Sequence, residues 1–188
     1  MASEGPNSPS SVVNDTSTGT LNWTNPGNAT SSNNADAFAS AESATTRFLK
    51  ATGFGFSIPA GATIDGIVVE VEKASDEGCV DDEAFIVKGG TIGSTNRKLS
   101  GNWPASDTYK SHGLFQTDSW GESWDSDAIN ASDFGFVISA ALGGDPAAAY
   151  VDHIRITVYY TPGGAGPKHD PLHGPFDGPL NKVVIVCP

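Results

Sequence analysis

The side chains of this sequence that could do chemistry fall into three groups, and the first is carboxylates. Glu70 and Glu72 sit two apart in an alternating stretch, and Asp76, Glu77, Asp81, Asp82 and Glu83 crowd into "SDEGCVDDEAF" (75–85). A glycosidase needs two carboxylates facing each other across a cleft. Residues i and i+2 of a strand lie side by side on one face instead, so Glu70 and Glu72 read as a surface stripe. A calcium loop needs several oxygens converging about a fixed turn. The spacing within 75–85 meets no such pattern, and the run reads as a solvated loop between strands.

The second group is His112, His153, His169 and His173. The last two have the i,i+4 spacing of a helix-borne metal pair, but Pro171 between them argues against the helix. His153 follows Asp152, yet successive strand residues point to opposite faces, which is unsuited to a hydrogen-bonded dyad. No G-x-S-x-G, phosphate-loop or H-E-x-x-H pattern occurs. The expectation is a protein that is not an enzyme and carries no metal or cofactor. Cys79 and Cys187 match no redox or zinc spacing and read as two thiols, with a bridge between them or between chains left open.

The third group is aromatic. The stretch "GNWPASDTYKSHGLFQTDSWGESWDSDAINASD" (101–133) concentrates Trp103, Tyr109, Phe115, Trp120 and Trp124. A loop this long in a compact domain is usually functional or packed over a sheet. Trp103, Tyr109, Trp120 and Trp124 could stack on sugar rings while neighbouring acids bind hydroxyls. The competing reading, preferred here because Trp is highly buried on average, is that Trp120 and Trp124 cap the open edge of a core.

The elements that must position these groups are strands. The 188 residues allow one good core. Charged residues make up only 17%, and Ser, Thr, Asn and 22 Gly take their place, a mixture suited to strands joined by turns. Against 10 bases stand 22 acids, a net charge of −12, which repels phosphates and argues against nucleic acid as a partner. No apolar run approaches the length of a membrane span, and the first residues lack the basic and apolar regions of a signal peptide. The Asn-X-Ser/Thr sites at Asn14, Asn22, Asn28 and Asn130 read as chance products of an Asn/Ser/Thr-rich chain.

Alternation predicts the strands. Phe54, Phe56 and Ile58 share a face before a turn at Pro59 and Gly61. Ile67, Val69 and Val71 face inward, with Glu70 and Glu72 outward. A strand over 82–90 ends at Gly89 and Gly90. Phe134, Phe136, Ile138 and Ala140 share a face, as do Ile154, Ile156, Val158 and Tyr160, with His153, Arg155, Thr157 and Tyr159 outward. Trp23 marks a short strand before a turn-rich loop. Residues 1–20 have little apolar content to bury and read as a flexible arm ordered only by a partner. The expected fold is all-β: an antiparallel, jelly-roll-like β-sandwich over 21–162 with extended N- and C-terminal arms.

Several blocks carry a resemblance: "NWTNPGNA" (22–29), "TGFGFSIPAGATIDGIVVEVE" (52–72), "VKGG" (87–90), "WGESWDSDAINASDFGFVISA" (120–140) and "VDHIRITVYYTP" (151–162). Together they resemble the β-rich virion proteins of tailed bacteriophages and their prophages, a group of head-decoration, cement and minor tail proteins. The resemblance implies a jelly-roll-like domain in a phage particle with no known active site. The expected function is capsid decoration on the exterior of the head: a homotrimer bound to the major capsid protein, with no role for nucleic acid or membrane. A carbohydrate-binding module of a minor tail or fibre protein is the alternative.

Residues 163–188 lie outside the resemblance. Pro162, Pro167, Pro171, Pro175 and Pro179 block helix and central-strand pairing and favour extended chain, so the stretch could reach on the order of 80 Å. It then supplies the β-prone apolar run Val183, Val184, Ile185, Val186 and Cys187. Unpaired, such a run is an aggregation hazard. The expectation is an extended arm that binds a neighbouring chain through this run, with Phe176 and Leu180 as anchors along the way.

Overall fold

A computed structural model describes residues 1–164, apart from Glu77 and Asp145. Eleven strands appear among them: β1 (Ala2–Asn7), β2 (Ser11–Asp15), β3 (Ala37–Ala41), β4 (Ala44–Thr45), β5 (Phe48–Thr52), β6 (Thr63–Ser75), β7 (Cys79–Lys88), β8 (Thr91–Ile92), β9 (Thr108–His112), β10 (Gly135–Leu142) and β11 (Ala147–Thr161). One short helix, α1 (Ser126–Asn130), is capped by the Asp125 carboxylate, which accepts from the Ala128 amide.

The strands form two antiparallel sheets. The first runs β1-β11-β6-β9, with β3 also on β11; the second runs β2-β5-β10-β7-β8, with β4 also on β10. From β3 onward the chain passes back and forth between the sheets: β3 in the first, β4 and β5 in the second, β6 back in the first, β7 and β8 in the second, then β9, β10 and β11 in turn. Counting β4 and β5 as one interrupted strand, this is the eight-strand winding of a jelly roll. The expected all-β, jelly-roll-like sandwich is the observed fold.

Its core is the one that alternation marks. Phe54, Phe56, Ile67, Val69, Val71, Phe134, Phe136, Ile138, Ile154, Ile156 and Val158 are all buried in one cluster between the sheets. The turn chemistry also holds. Ala62 N–H donates to the Pro59 carbonyl with Gly61 at a φ of 75°. Gly89 and Gly90, both at positive φ, make the two-residue turn joining Lys88 to its partner Thr91.

Three expectations need correction. Residues 1–20 do not wait for a partner. Ala2–Glu4 pair with Val158–Tyr160, and Ser11–Asp15 pair with Phe48–Thr52. β3 covers only Ala147–Val151 of the long strand β11, which leaves the rest of that edge open, and β1 closes it. Backbone hydrogen bonds hold these strands, so a low apolar content does not prevent them; Val12 adds a buried anchor. The acidic run is only partly a loop: β7 begins at Cys79, so Asp81, Asp82 and Glu83 lie in a strand, and Asp81 points inward. His153 faces the outer side of its sheet but is nearly buried there by other side chains.

Candidate functional site

The long aromatic stretch folds as one edge strand, one helical turn and loops that close an end of the sandwich. Trp120 is fully buried, donates its indole N–H to the Ile67 carbonyl (2.9 Å) and stands edge-on to Phe136 with ring centres 5.9 Å apart. Its φ of 57° is left-handed, rare for a bulky residue. The Asp118 carboxylate, which accepts from the Trp120 amide at 2.8 Å, helps hold it there. Trp124 donates to Ser119 O (2.9 Å) and packs edge-on against Phe134 at 5.5 Å. Both indoles cap the core.

Trp103 is 5% exposed, stacks on Trp23 at 6.4 Å and lies under the Lys73 ammonium at 4.5 Å. Tyr109 alone of the four sits on the outer face, half-buried, with the Arg155 guanidinium 3.7 Å from its ring centre. The four aromatic candidates therefore do not form one exposed platform.

Sequence reasoning missed a buried charged cluster between the sheets. Ile67, Val69, Val71 and Lys73 follow the inward phase of β6, which carries Lys73 into the core. Its ammonium donates to Asp81 Oδ1, which also accepts from Trp103 Nε1 at 2.7 Å, while Asp81 Oδ2 accepts from the Leu99 amide at 2.8 Å. Burial pulls the Lys73 pKa down and the facing Asp81 carboxylate opposes that pull. His112 is fully buried nearby, with Nδ1 3.1 Å from the Arg97 carbonyl and 3.8 Å from Asp81 Oδ2. Cys79, also buried, has its thiol pKa pushed up to about 12 by burial.

Burial, reinforced by Lys73 and opposed by Asp81, pushes the His112 pKa down to about 4. The unfolded chain, titrating at about 6.5, therefore takes up this proton first as pH falls. The contribution of neutral His112 is complete above pH 6.5 and is lost between there and about pH 4, at up to about 1.4 kcal/mol per pH unit. In denaturant unfolding across that range, wild type should lose stability more steeply than His112→Gln. Equal slopes would assign the pH dependence to other groups.

On the outer face of the first sheet, polar groups gather around Tyr109. Its hydroxyl lies 2.8 Å from His153 Nδ1, and His153 Nε2 lies 2.9 Å from Ser8 Oγ. Burial lowers the His153 pKa against the pull of Glu72, and Arg155 pairs with Glu70 at 2.9 Å. Asp152 does not reach His153. Its carboxylate accepts from the amides of Asn33 (3.1 Å) and Ala35 (3.2 Å) and holds that loop on the sheet. Asp36 and Asp107 are raised, chiefly by burial and then by neighbouring carboxylates. The face can exchange hydrogen bonds with a polar partner, and the Ser8–His153–Tyr109 line ties the N-terminal segment to the sheet.

Among the described residues no three His, Cys, Asp or Glu side chains converge as metal ligands, and no helix is long and apolar enough to cross a membrane. His169, His173, Cys187 and the proposed binding residues Phe176, Leu180, Val183, Val184, Ile185 and Val186 lie outside the described residues. Comparison with protein-family models, curated proteins and solved structures gives no match.

Proposed function

We propose that this chain is a structural protein of a tailed-phage virion, a decoration or cement protein on the exterior of the head that binds across neighbouring copies of the major capsid protein. The observation that supports the reading most is the winding of the sandwich. Eight-strand jelly rolls serve as viral capsid domains, as well as in lectins and cupins, an argument by fold analogy. The blocks that resemble virion proteins supply its framework: Phe54, Phe56, Phe134, Phe136 and Ile154 are core residues. On this reading the protein works by burial of apolar surface, as a symmetric homotrimer whose residues 163–188 fasten onto a neighbouring chain. Its acidic exterior keeps particles apart. The carbohydrate-binding alternative is weakened because Trp103 and Trp120 are buried.

Mass spectrometry of purified particles should find the protein at capsid-scale stoichiometry. Deleting residues 166–188 should leave the β-rich circular dichroism spectrum intact while abolishing trimers in light scattering and decoration of particles. Absence of the protein from purified particles would sink the virion reading. A truncated chain that still trimerises and decorates at wild-type occupancy would sink the fastener.

A further inference from the structure

Large apolar side chains stand exposed at few places among the described residues, and three of them share one groove. Met1 is 66% exposed, Leu114 62% and Phe115 75%. They rim a groove of about 600 Å³ on the outer face of the first sheet, floored by Val68, Thr157 and Tyr159. Val68 and Thr157 are ladder partners on the outward phase of β6 and β11, so the floor is the rigid centre of the sheet.

The wall carrying Leu114 and Phe115 is equally fixed. The Leu114 amide donates to Asp118 Oδ2 at 2.7 Å, and the same carboxylate takes two hydrogen bonds from Arg97, at 2.8 and 3.0 Å. Ile67 N–H donates to the Asp118 carbonyl at 3.0 Å. Gly66 lets the loop lie directly on β6, since a Cβ there would meet the Gln116 carbonyl at 2.2 Å. A preorganised loop that holds two large apolar residues in water marks a binding surface.

We propose that this groove receives the apolar run Val183–Cys187 of a second copy of the chain. The proposal rests on the reading of residues 163–188 as the fastener and says where it lands. The run is extended-chain sequence whose alternate residues Val183, Ile185 and Cys187 would enter the groove together. Lys182 precedes it, and the charged side chain lining the groove is Glu70, whose carboxylate Arg155 already pairs on one side. The described chain leaves the first sheet beyond Thr161, where Gly163 lies against Gly61, heading away from the Thr157–Tyr159 floor. Entry into its own groove would require a reversal, whereas residues 165–182, with Pro167, Pro171, Pro175 and Pro179, can carry the run up to roughly 60 Å onward.

Two experiments on the full-length chain test this. Under mild oxidation Phe115→Cys should form a disulfide with the native Cys187, giving interchain-linked species on a non-reducing gel that vanish when Cys187→Ser is added. Phe115→Ser, a change at an exposed position, should raise the trimer dissociation constant at least tenfold with the fold unchanged. Linkage of Cys187 to position 115 only within one chain, or no such linkage, overturns the proposal. So does a Phe115→Ser protein that trimerises like wild type. If deletion of 166–188 abolishes trimers while Phe115→Ser does not, the groove assignment falls and the fastener stands. If the deletion leaves trimers intact, the fastener itself has failed.

Discussion

Asp81→Ala is expected to destabilise the fold by about 3–5 kcal/mol, the range for breaking a buried ion pair by removal of one partner. The carboxylate is nearly inaccessible and answers three donors at once: the Lys73 ammonium, the Trp103 indole and the Leu99 amide. Alanine would leave an ammonium in the core facing His112, which burial already keeps neutral. The loop from Leu99 to Trp103 would lose two of its anchors. The charge and the packing can be separated by a second change. Lys73→Met in the Asp81→Ala background removes the stranded charge, and a substantial part of the lost stability should return, because apolar replacement of a buried pair is often neutral or better. Urea unfolding of the two single variants and the double variant reads this directly. A loss below about 1 kcal/mol for Asp81→Ala, the scale of ordinary surface changes, would mean that the pair is solvated.

Phe136→Ala is expected to cost about 3–5 kcal/mol, as buried aromatic truncations do. Phe136 is fully buried near the start of β10, the strand that pairs with both β5 and β7. Its ring meets Trp120 edge-on at 5.9 Å and His112 at 5.5 Å, so the cavity left by alanine would be lined by rigid rings that collapse poorly. Phe136→Leu retains most of the volume and should lose much less. A loss under about 1 kcal/mol for the alanine variant would place this face in solvent and shift the register of β10 by one residue.

Much of the fold was legible because burial imposes a period of two on a strand. Ile67, Val69 and Val71 against Glu70 and Glu72, and Ile154, Ile156 and Val158 against Arg155 and Thr157, identify strands and their inner faces with no other information. Gly89-Gly90 and Pro59 with Gly61 mark turns because few residues adopt those backbone angles. The strands β1, β2 and β9 carried no such signal. "ASEGPN" and "TYKSH" are polar, and they become strands because β11 and β6 present open edges of backbone donors and acceptors that the folded sheet must satisfy.

The site was less legible for a related reason. Lys73 already stood on the inward phase of β6, but its partner could not be read from the chain. Asp81 opposes Ala140 and Glu83 opposes Ser139, so Asp82 is an extra residue in β7. Counting by twos backward from Ile86 and Ala84 puts Asp82 inside and Asp81 outside; the bulge reverses that phase. A second bulge between Val151 and His153 does the same in β11 and frees Asp152 to hold the Asn33–Ala35 loop. The sequence by itself determined the alternating strands, their apolar faces and the turns between them, since each follows from local sterics and from hydrophobic burial. Only the tertiary structure decided that a lysine from one sheet meets an aspartate from the other and that three apolar side chains rim one groove. Those pairings depend on bulges and edge closures that arise when two sheets twist against each other, and a linear period does not record them.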